Sequence, residues 1–173
     1  MKKRKPQRVV HIYRYTLMDV MMASPTEILP TRHRQHQLTR MYQGLDSMET
    51  SASPSAEDWR LVSDAVNLME TLIVNGPWPD SQGDLVEIGD GEGLLQDAIT
   101  ALAMTGKRHK AGGNIRLDGA GIQACRSILA DYSSLLEVLP ARTMIKVHRE
   151  TEKRIHQILT GKKQPRDVEV MDL

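Results

Sequence analysis

The sequence predicts a mainly α-helical fold, a single domain of about five helices with minor short strands near the termini. Three observations lead there. The 173 residues include ten Met but no Phe, with two Trp and four Tyr, so the core is aliphatic, and unbranched side chains keep their rotamer freedom in helices. Four segments return apolar residues at three- and four-residue steps, whereas only short pieces alternate. Caps and Gly/Pro stops separate these segments. A chain of this length fits one ordinary domain, in which folding buries about 70% of the surface the unfolded chain exposes.

Residues 1–8 are cationic, contain Pro6 and have nothing apolar to bury, so they are expected to form a disordered basic arm ahead of a domain over 9–173. The stretch 9–17 is rich in β-branched and aromatic residues and predicts a short strand. Pro25 and Pro30 bracket an extended connector.

The first helix is expected over 31–50, with Leu38, Met41, Tyr42, Leu45 and Met48 as its apolar stripe and Gly44 as its only interruption. Ser55, with Asp58 three residues on, reads as a capping pair for a second helix. That helix carries Val62, Ala65, Val66, Met69, Leu72 and Ile73, and stops at Asn75, Gly76 and Pro77. Residues 78–93 form an acidic loop with a short extended piece at 85–88.

A third helix starts at Leu94 and is expected to end before Gly106, with Lys107, Arg108, His109 and Lys110 at its carboxyl end, where cations meet the negative end of the helix dipole. Asp118 caps a fourth, whose stripe is Ile122, Cys125, Ile128, Leu129, Tyr132, Leu135 and Leu136. Pro140 opens a fifth helix reaching Thr160, and Gly161 ends it. The tail over 167–171 alternates polar and apolar residues and is a pairing partner for the amino-terminal strand.

Charge is segregated along the chain. Residues 1–42 carry nine Lys/Arg against two Asp/Glu, residues 43–100 one against twelve, and residues 101–173 thirteen against eight, giving block charges of +7, −11 and +5. Either the basic ends meet nucleic acid, or the acidic middle meets a basic partner, or the ends lie against the middle within one molecule or across a homodimer. Cys125 stands alone, which excludes an intramolecular disulfide and a cysteine-based zinc site and fits a reducing compartment. His11, Arg14 and Asp19 interrupt what would be the apolar core of a signal peptide, and no run reaches the 18 or so apolar residues of a membrane span. A cytoplasmic protein with no membrane partner is expected.

Candidate chemistry is sparse. Gly89, Asp90, Gly91, Glu92 and Gly93 precede a helix as phosphate loops do, but the Lys and Ser/Thr of such a loop are missing and two carboxylates would repel phosphate. Asp80, Asp84 and Glu87 nearby lack the spacing of a calcium loop. His33 with His36, and His148 with His156 around Glu152, fall short of a zinc motif; His148 reads as packed and His156 as exposed. Trp59 and Trp78 suit packing, and Cys125 suits the core. No metal or cofactor is expected.

The fifth helix carries the most organised pattern. Measured from Met144 at 100° per residue, His148, Thr151, Ile155 and Ile158 lie within about 40° of it and mark a buried face. Arg142, Lys146, Arg149 and Lys153 fall between about 140° and 200°, opposite that face. With Lys2, Lys3, Arg4 and Lys5 of the arm they are the candidate nucleic-acid-binding residues. A solvated helix face, partly neutralised by Glu150 pairing with Lys153 or Arg154, would look the same. No helix-turn-helix is recognisable, although the third and fourth helices flank a turn.

DWRLVSDAVNLMETL at 58–72, IRLDGAGIQACRSIL at 115–129 and LPARTMIKVHRETEKRI at 139–155 resemble pieces of small uncharacterised proteins carried by phages and mobile elements of proteobacteria. RVVHIYRYT and QLTRMYQGL are similar too, so the resemblance covers most of the chain. It carries over no functional residue. What it implies is context, since accessory genes of such elements often encode regulators or inhibitors of host defence that act by binding. The expected function is accordingly non-enzymatic, a nucleic-acid-binding accessory or regulatory protein. The alternative is an inhibitor of a host defence factor that presents the acidic middle as a DNA mimic would.

Overall fold

The structure, a computed structural model, describes residues 15–90 and 93–161. The basic arm, residues 9–14 of the strand expected over 9–17, and the tail over 167–171 lie outside the described residues; Tyr15 and Thr16 are not in a strand, and Leu17 opens a helix. Within them the fold is mainly helical and forms one domain. In order come α1 (Leu17–Met22), α2 (Thr31–Thr50), α3 (Ala56–Val74), a two-stranded antiparallel hairpin of β1 (Trp78–Pro79) and β2 (Leu85–Val86), then α4 (Leu94–Lys110), α5 (Gly119–Leu136) and α6 (Ala141–Leu159). The helix expected as the fifth is α6, because α1 is an addition to the expected set: it takes Leu17, expected as the last residue of a strand, and 18–22, for which the sequence predicts no element. Thr16 and Asp19 start α1 with a reciprocal capping box, which satisfies two amino-terminal N–H groups.

The centre of the domain is α3, which packs against α2, α4, α5 and α6. Its burial runs around the helix: Trp59, Leu61, Val62, Ala65, Val66, Leu68, Met69 and Leu72 are all buried, as a helix enclosed by neighbours requires. The capping box of Ser55 and Asp58 opens it as expected. Trp59 donates its Nε1 to the carbonyl of Leu102 at 3.0 Å, and Trp78 to that of Leu72 at 2.7 Å, so both indoles are spent on packing α4 and the hairpin against α3. Cys125 and Tyr132 of α5 are fully buried between these helices.

Three details differ from the sequence expectation, each for a local reason. Gly44 does not interrupt α2. A Cβ there would stand 2.9 Å from the Asp58 carbonyl oxygen and 3.2 Å from Leu61 Cβ, so the glycine lets α2 and α3 approach backbone to side chain. The buried face of α2 is rotated from the apolar stripe and runs through Arg34, Gln37, Met41, Gly44, Leu45 and Met48, leaving Tyr42 exposed. Arg34 tolerates burial because Nε donates to the Leu29 carbonyl and NH1 pairs with Glu137. Finally, α4 runs past Gly106 to Lys110, which puts the basic cluster inside its last turn, and eight residues join α4 to α5 rather than the three or four of a helix-turn-helix.

The charge blocks meet within one molecule. Arg40 pairs with Glu57 at 3.2 Å, Arg126 with Glu49 at 2.6 Å, and Arg154 with Glu70, each joining a basic end of the chain to the acidic middle.

Candidate nucleic-acid interface

The outer face of α6 is built by what surrounds it. From Tyr15, the first described residue, the chain runs through α1 antiparallel to α6 and is tied down along its length. Arg149 NH1 donates to the Tyr15 carbonyl at 3.3 Å, Arg142 Nε to the Ala23 carbonyl at 3.0 Å and its NH2 to that of Met21 at 3.4 Å. Backbone bonds from Ala141 to Glu27 and from Arg142 to Ser24 continue the attachment into a bridge between Ile28 and Pro140. The carbonyls of Met21 and Ala23 are orphaned by the end of α1, so the Arg142 guanidinium satisfies acceptors that a helix terminus leaves open.

Tyr15 is also held from beneath. Its ring meets His148 edge-on, with centroids 5.3 Å apart. His148 Nε2 lies 3.1 Å from Gln37 Nε2 and 3.3 Å from the Tyr132 hydroxyl, while Gln37 Nε2 donates to that hydroxyl at 2.8 Å. Burial pushes the Tyr132 phenol far above its ordinary pKa, so it stays a neutral hydrogen-bonding group. The half-buried His148 of α6 thus joins Gln37 of α2 and Tyr132 of α5 to Tyr15, just ahead of α1. This cluster and the Arg142 and Arg149 contacts span more than a hundred residues in sequence, and no local pattern announces them.

The eight expected binding residues therefore divide three ways. Lys2, Lys3, Arg4 and Lys5 lie outside the described residues. Arg142 and Arg149 hold the amino-terminal segment. Lys146 and Lys153 stand exposed on the outer face, Lys146 with its Nζ 5.5 Å from the centre of the Trp78 ring. Two turns of helix, about 10 Å, separate these two lysines. Glu150, expected to pair with Lys153 or Arg154, instead accepts from Asn75 Nδ2 at 3.2 Å, and Arg154 turns to Glu70 on α3.

The other candidates resolve into structure. Asp80 accepts the backbone N–H groups of Gln82 and Asp84 and closes the hairpin turn, where Gly83 has φ of +91°. Asp90 accepts from the Leu95 N–H, and Gly93, at φ of +87°, caps α4. Arg108 donates to the carbonyls of Asn114 and Arg116 and so shapes the α4–α5 loop. His33, His36 and His156 are exposed. Burial raises the Cys125 thiol to about 12, which keeps it a protonated core group. Among the described residues no three His, Cys, Asp or Glu side chains gather into a group able to hold a metal ion, and no helix is long and apolar enough to cross a membrane. No family model, curated protein or solved structure matches this chain.

Proposed function

We propose that this protein is a non-enzymatic binding protein that grips the phosphate backbone of nucleic acid with the outer face of α6 and the basic arm together. The observation that carries the reading is the fixing of Tyr15 on α6 by Arg149 and His148. Tyr15, the first described residue after the basic stretch 2–8 of the sequence, is thereby fixed on the helix that carries Lys146 and Lys153. Phosphate contacts need only positive charge distributed along a surface, which this juxtaposition provides without a base-reading helix. The resemblance to proteins of phages and mobile elements makes an accessory or regulatory role, in the cytoplasm, the natural setting. The reading of the acidic middle as a DNA mimic ranks second, because Glu49, Glu57 and Glu70 are drawn into ion pairs and Asp58, Asp80 and Asp90 into caps and turns.

The reading is tested by photo-crosslinking the full chain to a short duplex carrying a photoreactive base and mapping the attached peptides. Peptides from 1–8 and from 146–153 are expected. Attachment confined to 107–116, or none at low salt, would overturn it.

A further inference from the structure

We propose that Met18, Met21 and Met22 of α1 form a three-thioether binding site for copper(I), a soft monovalent cation. Methionine elsewhere in the domain mostly fills the core: Met41, Met48, Met69 and Met144 are buried, and Met104 is exposed with no second methionine in its helix. On α1 three methionines stand within five residues and are 63%, 64% and 79% exposed. Counted from Met18 at 100° per residue, Met21 lies at about 300° and Met22 at about 40°, so the three share an arc of about 100°. Residues three and four apart carry their Cβ atoms about 5–6 Å from each other, and each sulfur sits two bonds farther out on a side chain with three rotatable bonds. The three sulfurs can therefore meet at one point above the helix with no change of backbone.

The donor set decides the ion. Thioethers are soft and uncharged, and such ligands select copper(I), whereas magnesium, calcium and manganese take carboxylate, carbonyl and water oxygens. The one carboxylate of α1 is committed elsewhere, since Asp19 Oδ2 accepts from the Thr16 backbone N–H and hydroxyl in the capping box. Leu17, 62% exposed, lies beside Met21 on the helical wheel, so apolar carbon borders the sulfurs. Charge points the same way. Arg142 donates to the carbonyls of Met21 and Ala23 and Arg149 to that of Tyr15, which sets two guanidinium groups along the helix. Their field opposes a divalent ion twice as strongly as a monovalent one at the same place. These bonds anchor the α1 backbone, while none of its side chains is fully buried, so the methionines can change rotamer to close on an ion. Cys125, the one thiol in the sequence, is fully buried and protonated and does not compete for a soft cation in the folded protein.

The test is an anaerobic titration of the full chain, labelled with carbon-13 at its methionine methyl groups, with copper(I) kept reduced by ascorbate and read by nuclear magnetic resonance. The methyl signals of Met18, Met21 and Met22 are expected to shift together and to saturate at a single ion per chain. Met104, 66% exposed, should stay in place, and the buried Met48 and Met69 report an intact fold. Zinc(II) is expected to move none of the three. Competition against a colorimetric copper(I) chelator gives the affinity. Substituting Met18→Leu, Met21→Leu and Met22→Leu together should lower it at least about tenfold, a loss that removal of even an outer-shell partner can cause. Leucine keeps the apolar surface and the helix propensity, so this variant separates thioether coordination from apolar association. Methyl signals that do not respond, that respond only in step with Met104, or that respond equally to zinc(II) overturn the proposal, as does a triple variant that competes like the wild type. If the triple variant disturbs Met48 or Met69, Met22→Leu alone decides: a loss of about tenfold supports the site, and unchanged affinity removes it.

Discussion

Replacing Arg142 and Arg149 together by Gln should release α1 from α6 while leaving the rest of the domain folded. The size of the effect follows from the hydrogen-bond geometry. Three guanidinium-to-carbonyl bonds disappear, one of 3.0 Å and two near the long limit at 3.3 and 3.4 Å, from side chains that are exposed or half-buried. Exposed charge-assisted bonds of this quality contribute about 0.5 kcal/mol each, so the double variant should lose roughly 1–2 kcal/mol of docking free energy. That corresponds to a rise of about 5- to 30-fold in the opening constant of α1, readable as faster amide exchange at Val20 and Ala23, whose N–H groups bond within α1. No residue of α1 is fully buried, so the melting temperature should move by no more than about 2–4 °C. Replacing Lys146 and Lys153 by Gln is the control and should leave exchange in α1 unchanged. Exchange within about twofold of the wild type in the arginine variant would refute the assignment of these side chains as anchors.

Other expectations follow from single sites. Gly44→Ala gains about 1 kcal/mol of helix propensity, but its methyl meets the Asp58 backbone carbonyl at 2.9 Å, which no rotamer change relieves; a net loss of about 1–2 kcal/mol is expected by denaturant unfolding, and a gain would show that α2 and α3 can separate freely. Gly119→Ala, with nothing within 4 Å of the new methyl, should instead stabilise the protein by a few tenths of a kcal/mol to about 1 in the same assay. Cys125 should react with thiol reagents only on unfolding, given its full burial and a pKa raised to about 12; rapid labelling of the native protein would contradict its place in the core. The Asp19 carboxyl is held below its ordinary 3.8 by hydrogen bonds from the Thr16 backbone and hydroxyl and, less strongly, by the field of Arg149. A depressed folded-state pKa contributes stability above the unfolded value and loses it as pH falls through the folded one, so amide protection in α1 should be flat from pH 7 to 5 and decline below about pH 4. Release between pH 7 and 5 would mean that another group governs docking.

Local signals in the sequence carried most of the fold. The limits of α2, the capping box of Ser55 and Asp58 and the stop at Asn75 are decided by backbone chemistry within a few residues, and there expectation and structure agree. Burial on α2 was not legible from hydropathy, because Arg34 and Gln37 are buried through partners 5 to 111 residues away. The α1 helix escaped for the opposite reason, since Leu17, Met18, Met21 and Met22 face outward and mark no buried stripe. Its one usable signal was Thr16 with Asp19 three residues on, the same capping pattern that located α3. On α6 the helical wheel separated the cations from the core correctly. That two of them are anchors for the chain's own amino-terminal segment depends on tertiary contacts, which periodicity does not encode.

The most direct test of a nucleic-acid interface on α6 is the salt dependence of duplex binding, compared between the wild type and the Lys146→Gln, Lys153→Gln variant by fluorescence anisotropy. Without two of its phosphate ion pairs, the variant should show a slope of log affinity against log salt flatter by about 1.8, and binding weaker by about tenfold per lysine at 0.1 M salt, equally for unrelated sequences. Equal affinity and slope in the folded variant, or no binding by the wild type at low salt, would contradict a phosphate-gripping role for α6.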